Sequence, residues 1–187
     1  MEFEAKIIEF LQTNATTGWI TFFECITMLG GYLGFFLVFV LLFFKRRSLA
    51  YAFAITFALA SIVNYLLKII IGRPRPFDSF PSIKNLGEED GFSMPSGHSL
   101  CAGLFATFLF YLTIKSAKNK STKVCACIAI CLFPPLIALS RMVLGVHYLT
   151  DTILGIFLGI IFALIGIFIY NVVAKRIKIN QRNKINE

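Results

Sequence analysis

The sequence predicts an all-α membrane protein, a bundle of about five transmembrane helices preceded by a short interfacial helix. Of its 187 residues, 57% are hydrophobic and only 15% are charged, whereas a soluble domain has about 25% charged residues. The apolar residues form five long segments separated by polar connectors. Because a chain of this length cannot bury so much apolar surface in its own core, we expect the segments to face lipid. Residues 1–187 are expected to form one domain.

The N-terminal segment has the pattern of a short amphipathic helix. Phe3, Ile7, Phe10 and Leu11 recur at helical spacing, and glutamates occupy other positions. Such a helix is typical of segments that lie in the membrane interface. Trp19, the only tryptophan, follows at an interfacial position.

The five apolar segments are the predicted transmembrane spans. They cover about residues 22–44, 50–71, 98–114, 124–139 and 153–173. A crossing takes about 20 residues, so the third and fourth spans should extend into their polar flanks. Pro134 and Pro135 are expected to kink or end the fourth span.

Small residues within the spans indicate close packing between helices. The patterns are Gly30-Gly31-x2-Gly34 and Gly155-x3-Gly159 with Gly166. The second could also mediate dimers, so the oligomeric state stays open. The five cysteines lie in apolar stretches without the paired spacing of a zinc site, and we interpret them as small hydrophobic residues. No metal site is expected.

The basic residues predict the orientation in the membrane. Most of the 18 Lys and Arg residues lie in three connectors, at 45–47, 115–123 and 175–184. The positive-inside rule places these connectors and the C-terminus in the cytoplasm of a multi-pass protein of the cell membrane. The net charge of +8 therefore reflects topology, and no nucleic acid partner is expected.

Three motifs fall at the opposite, outer ends of the spans. They are Lys68-x6-Arg75-Pro76, Pro95-Ser96-Gly97-His98 and Ser140-Arg141-x5-His147-x3-Asp151. The cations Lys68, Arg75 and Arg141 are suited to a phosphate group, whose transfer depends on positioning and fixed positive charge. Ionisable residues at membrane depth are costly and are therefore candidates for function.

The other motif residues add a helix start and a histidine–carboxylate pair. Ser96 and Gly97 precede an apolar run, where backbone N–H groups could face an anion. On a helix His147 and Asp151 would share a face, so the carboxylate could fix the imidazole tautomer and leave the other nitrogen free to attack phosphorus. The residues alone leave open whether His98 or His147 attacks, although the spacing to Asp151 favours His147.

The long segment 72–97 connects the first two motifs and contains four prolines. We interpret its acidic run, Glu88-Glu89-Asp90, as a solvated loop tip, with a substrate-gating element in the 77–94 loop as the alternative. Arg73 lies just outside the first motif. We hypothesise that it contacts a second phosphate or the headgroup of the substrate.

Together the three motifs resemble the signature of the type 2 phosphatidic acid phosphatase superfamily, over a core of about residues 64–155. The resemblance implies a phosphohistidine mechanism that needs no metal or other cofactor. It implies that His147 is the nucleophile, oriented by Asp151, and that His98 is the general acid. The residues implied to hold the phosphate are Lys68, Arg75, Ser96, Gly97 and Arg141.

The resulting hypothesis is an integral membrane lipid phosphatase whose active site is on the outer face. Candidate substrates are undecaprenyl diphosphate, phosphatidylglycerophosphate and phosphatidic acid. One alternative is a haloperoxidase-like oxidase, since vanadium-dependent haloperoxidases have the same signature. Another is a membrane lipid-binding protein or transporter that keeps the fold without catalysis.

Overall fold

The computed structural model describes residues 1–185, with side chains as far as Gln181. The described residues form helices and no strand, which confirms the all-α class. The helices are α1 (Glu2–Asn14), α2 (Thr17–Met28), α3 (Tyr32–Lys45), α4 (Arg47–Ile71), α5 (Pro76–Ser79), α6 (Gly97–Ser116), α7 (Lys120–Val143) and α8 (Leu149–Ile185). All five cysteines are free thiols. Glu187, the single acid of the C-terminal basic segment, lies outside the described residues.

Four helices, α4, α6, α7 and α8, are long and apolar enough to cross a membrane, and the bent pair α2–α3 makes up to five. The first predicted span, over 22–44, is bent, because its two helices α2 and α3 meet at 47°. Gly30 and Gly31 lie at this break, and glycine is a poor helix former. A Cβ on Gly30 would come within 2.8 Å of Ile137 Cγ2, so the bend packs directly against α7.

The third and fourth spans extend beyond their apolar cores, as expected, to 20 residues in α6 and 24 in α7. The fourth span does not end at Pro134 or Pro135, since both lie inside α7, and the alternative expectation of a kink stays a prediction. A membrane favours a helix that continues past the prolines, because a peptide group that leaves a helix there finds no water to replace its hydrogen bonds.

Helix α6 lies at the centre of the bundle and contacts α3, α4, α7 and α8. A Cβ on Gly159 would lie 2.1 Å from Leu100 O, and one on Gly103 would lie 2.5 Å from Ile156 O. Helices α6 and α8 are therefore in backbone contact, which confirms the close packing that the glycine pattern predicts. This contact sets the relative position of the first turns of both helices.

Helix α1 packs against the loops at one end of the bundle. Ala5 and Ile8 are buried against Ile83, Met142 and Tyr148. Phe3 and Phe10, on the other side of α1, remain exposed. The predicted amphipathic helix is thus present, and it contacts the protein through the face that contains Ala5 and Ile8.

We expect Gly159→Ala to destabilise the fold. The added methyl group would overlap the α6 backbone at Leu100, and overpacking of this kind costs about 1–3 kcal/mol. Gly18→Ala is the matched control, because a Cβ there meets nothing within 4 Å. Thermal unfolding in detergent should show a lower midpoint for Gly159→Ala alone, and equal midpoints would contradict the backbone contact.

Candidate active site

The three sequence motifs meet at one end of the bundle. Lys68 lies in the last turn of α4, His98 in the first turn of α6, and Arg141 in the last turn of α7. His147 lies in the connection between α7 and α8, and Asp151 follows in the first turn of α8. Because each residue sits at or beside a helix end, antiparallel crossings bring distant parts of the chain to one place.

Glu89 lies in the middle of this cluster. Its Oε2 is 2.9 Å from Nη2 of Arg75, and its Oε1 contacts Nη2 of Arg141. His98 Nδ1 is 3.5 Å from Oε1, and His147 Nε2 is 3.9 Å from Oε2. The interpretation of the acidic run as a solvated loop tip is therefore wrong for Glu89, whose side chain is 26% exposed. The cations draw this carboxylate inward, while the neighbouring Glu88 remains exposed.

The electrostatics of Glu89 are dominated by its positive neighbours. Burial by itself would raise the pKa of Glu89, but the charge of Arg141, the two histidines in their protonated form at acid pH, and the charge of Arg75 outweigh it and lower the pKa to about 2. The carboxylate is therefore ionised at any pH at which the protein would normally be studied. A carboxylate held by two arginines marks a position that is suited to a phosphate oxygen.

Backbone carbonyls of the loop hold two of the cations in place. Arg75 is nearly completely buried, and its guanidinium donates to the carbonyls of Asp90, Gly91 and Val146. Lys68 Nζ donates to the carbonyl of Phe92 at 2.6 Å. The segment 90–92 is thus part of the site, because it orients both cations.

Ser96 and Gly97 form the start of α6, as predicted. Ser96 Oγ accepts a hydrogen bond from the Ser99 N–H at 3.4 Å, which makes Ser96 the N-cap. The Ser96 N–H donates to the backbone carbonyl of Asp151 at 3.1 Å, so it faces α8 and not an anion. The nearest atom to a Cβ on Gly97 would be Asn64 Nδ2, at 3.5 Å.

His147 does not have the environment that its spacing predicts. It lies before α8, so the helical i to i+4 relation with Asp151 does not apply. Its Nδ1 is 3.7 Å from Asp151 Oδ2 and has no hydrogen-bond partner. Asp151 Oδ2 accepts instead from the Tyr148 N–H at 2.8 Å. The predicted hydrogen bond is absent because the carboxylate caps the first turn of α8.

Burial controls the protonation of His147, whose side chain is 1% exposed. That burial, reinforced by the positive charges of Arg141 and Lys68, lowers the pKa of His147 well below its usual range. The imidazole is therefore neutral near pH 7. Its Nε2 faces the carboxylate of Glu89, so in the tautomer with the proton on Nδ1 a ring lone pair points to the side where an anion would bind.

Arg73 binds Asp151 in this structure. Its Nη1 is 2.5 Å from Asp151 Oδ1, and its guanidinium lies 4.0 Å above the ring of Tyr148. A contact between Arg73 and substrate stays a prediction. Arg73 thus pairs with Oδ1 of Asp151, whereas Oδ2 is the oxygen that lies 3.7 Å from His147 Nδ1.

Two site residues are absent from the sequence prediction. One is Glu89. The other is Thr27, which belongs to the site because its Oγ1 accepts a hydrogen bond from Arg141 Nη1 at 2.9 Å. A signal for Glu89 was present, because its loop joins two motifs that both lie at the site. Thr27 lies in the broken first span, and nothing in the sequence connects it to the motifs.

The donor set is suited to an anion. Within residues 1–185, no three His, Cys, Asp or Glu side chains are grouped so that they could hold a metal ion. Two arginines, a lysine and two histidines instead surround the position of one carboxylate. This arrangement can bind a tetrahedral oxyanion and place a neutral imidazole beside it.

Comparison with known proteins gives concordant results. The sequence model of the PAP2 superfamily matches residues 47–178. Phosphatidylglycerophosphatase B of Bacillus subtilis is 32% identical over 64% of this chain and 58% of its own length. Decaprenylphosphoryl-5-phosphoribose phosphatase of Mycolicibacterium smegmatis is 37% identical over 59% of this chain and 54% of its own. The chain thus matches little more than half the length of these curated relatives.

Two crystal structures have the same fold. One is a transmembrane PAP2-type phosphatidylglycerolphosphate phosphatase from Bacillus subtilis, with a TM-score of 0.76 and 24% identity over 94% of this chain and 86% of that one. The other is LpxE of Aquifex aeolicus, with a TM-score of 0.71 and 23% identity over 87% of this chain and 93% of that one. At these identities the likeness concerns the fold.

We expect Glu89→Gln to bind orthophosphate more tightly than the native chain. The substitution keeps the size of the side chain and removes the charge that an incoming anion must displace from Arg75 and Arg141. Isothermal titration calorimetry should show a gain of about tenfold, or about 1.4 kcal/mol. Glu88→Gln is the control, since that residue is exposed. Unchanged or weaker binding by Glu89→Gln would show that the carboxylate does not occupy the anion position.

Proposed function

The chain belongs to the PAP2 superfamily, and we propose from this that it is a membrane lipid phosphatase that hydrolyses a lipid phosphomonoester or diphosphate. The single observation that carries the proposal is the carboxylate of Glu89, held between Arg75 and Arg141 and facing both histidines. A phosphate that replaced this carboxylate would meet fixed positive charge on one side and a neutral imidazole on another. These are the requirements of phosphoryl transfer.

In the proposed reaction the substrate phosphate displaces Glu89, and its oxygens bind Arg75, Arg141 and Lys68. The Ser96 hydroxyl and the Gly97 N–H at the start of α6 complete the phosphate site, since the Ser96 N–H already donates to Asp151. His147 Nε2 attacks phosphorus, and the bond from phosphorus to the leaving oxygen breaks. His98 donates a proton to that oxygen, so the lipid leaves as an alcohol or a monophosphate. Water then attacks the phosphohistidine and releases orthophosphate, while His98 accepts the proton of the water.

Asp151 has the role of stabilising the positive charge that develops on His147 as the nitrogen attacks. The distance of 3.7 Å between His147 Nδ1 and Asp151 Oδ2 is long for a hydrogen bond in the free protein. Contacts of catalytic groups often tighten once substrate is bound. The neutral state of His147, which follows from its lowered pKa, leaves the nucleophilic lone pair free before the reaction.

The lipid nature of the substrate is supported by the position of the site and by the names of the relatives. The site lies at the ends of four apolar helices, where the headgroup of a membrane lipid would reach it. The names of the relatives refer to a phosphatidylglycerophosphate and to a decaprenylphosphoryl sugar phosphate. We propose undecaprenyl diphosphate, phosphatidylglycerophosphate or phosphatidic acid as substrates of this chain. We also propose that the chain acts as one domain.

We also propose that the site faces the outside of the cell membrane. The three basic connectors lie at the opposite ends of the helices that carry the motifs, and the positive-inside rule puts those ends in the cytoplasm. Such an enzyme would take its substrate from the outer leaflet.

Substitution of the two histidines should separate their roles. His147→Ala should lose turnover of every phosphate ester. His98→Ala should lower the turnover rate of a lipid substrate by about 10²–10⁴-fold, which is the usual contribution of a general acid. It should lose far less with p-nitrophenyl phosphate, since p-nitrophenolate leaves without a proton. The reverse pattern would exchange the two assignments, and acid-labile ³²P on the native chain but not on His147→Ala would identify the intermediate.

A panel of lipids should identify the substrate. Phosphate release from vesicles that contain each of the three proposed lipids is compared, with His147→Ala as the blank and with EDTA present or absent. We expect release from at least one lipid at a rate that EDTA does not change. Release that EDTA abolishes would contradict a mechanism without metal, and no release above the blank from any lipid would contradict the proposed function.

A further inference from the structure

We infer that Glu4, through Arg73, positions Asp151, so that the N-terminal helix α1 contributes a positioning residue to catalysis. This inference rests on the proposed function, because it concerns the carboxylate that is proposed to act on His147. Glu4 is remote from the three motifs in sequence, and it does not contact the anion position around Glu89.

The two oxygens of the Glu4 carboxylate are both engaged at the start of α8. Oε2 is 2.7 Å from Arg73 Nη2. Oε1 accepts from the N–H of Thr150 at 2.9 Å and from its hydroxyl at 2.7 Å. Burial would raise the pKa of Glu4, but the hydrogen bonds from Thr150 and Arg73 outweigh it and lower the pKa. The carboxylate is therefore charged near pH 7, as the geometry requires.

Arg73 connects two carboxylates. Its Nη2 binds Glu4, while its Nη1 donates to Asp151 Oδ1 at 2.5 Å and to Thr150 Oγ1 at 2.7 Å. The ring of Tyr148 lies 4.0 Å below the guanidinium. Because the planar guanidinium is held at both nitrogens and on one face, it has little freedom to rotate. Asp151, which is fully buried, is thereby held through Oδ1, while its Oδ2 lies 3.7 Å from His147 Nδ1.

Helix α1 is itself firmly attached to the site loops. Ala5 and Ile8 are buried in a cluster with Tyr148. Gln12 donates to the carbonyls of Lys84 and Val143 and accepts from the Lys84 N–H. Glu4 therefore does not lie on a loosely attached terminus, and its position is as well defined as that of the loop it contacts.

Without the Glu4 charge, Arg73 would keep one carboxylate partner of two. The guanidinium would then be free to rotate about its remaining contact with Asp151 or to move toward solvent. Asp151 would no longer be held at a fixed distance from His147. Displacements of this kind change the chemical step more than substrate binding, since Glu4 touches neither the cations nor the position of the phosphate.

The test compares Glu4→Gln with Glu9→Gln in the full chain, on a lipid substrate that the native chain hydrolyses. Both variants remove one charge from α1, but Glu9 contacts Ser82 Oγ and not Arg73. We expect Glu4→Gln to lower kcat about tenfold with KM changed less than about twofold, and Glu9→Gln to leave both values unchanged. Equal losses in the two variants would indicate a general loosening of α1 and would overturn the inference.

Arg73→Lys is the second variant, because lysine keeps the charge but cannot bridge two carboxylates as a planar guanidinium does. It should lower kcat to a similar extent, and the double variant with Glu4→Gln should lose less than the product of the two single losses. Independent, multiplicative losses would overturn the inference. A raised KM with kcat unchanged would overturn it too, and would instead favour contact between Arg73 and substrate.

The outcome for the native chain separates the two proposals. If the native chain releases no phosphate from any lipid, the proposed function fails. If the native chain turns over and Glu4→Gln matches it in kcat and KM, only the role of Glu4 fails.

Discussion

Buried positive charge at one end of the helix bundle must be balanced by a negative partner, and the structure of the site depends on this constraint. Arg75 and Arg141 are nearly fully buried, and a buried charge without a partner is very costly. Glu89 supplies the balance by placing its carboxylate between them. The same requirement explains why the long loop folds back over the helix ends. In the proposed function the substrate phosphate replaces the Glu89 carboxylate as the anion bound by these arginines.

The scaffold fixes this cluster through contacts between backbones. Glycines on α8 bring its backbone against that of α6, and the Ser96 N–H donates to the carbonyl of Asp151. The segments that carry His98 and His147 are thus tied together where both helices begin. Positions near an immobile backbone can be held to the accuracy that phosphoryl transfer requires. The helices therefore do more than cross the membrane, since their packing sets the distances within the site.

The carboxylate of Asp151 contacts several groups at once. It accepts from the Tyr148 N–H, it pairs with Arg73, and it lies 3.7 Å from His147. In the usual picture of a histidine–carboxylate pair the acid belongs to the histidine alone. Here, in the role inferred for Glu4, its Oδ1 is held by an ion pair with Arg73 that extends to the N-terminal helix. The proposed catalytic geometry therefore depends on a residue 147 positions away from Asp151.

The sequence by itself determined the all-α membrane class, the approximate spans and the residues that meet at the site, because hydrophobic length and motif spacing are local properties of the chain. It could not determine the break between α2 and α3, the inward position of Glu89 or the attachment of Asp151 to Arg73. The position of Glu89 and the attachment of Asp151 depend on which groups become neighbours after folding, and the bend at Gly30 also depends on packing against α7. Glu88 and Glu89 are chemically identical in the sequence, and only the positions of Arg75 and Arg141 in space make one an exposed loop residue and the other the centre of the site.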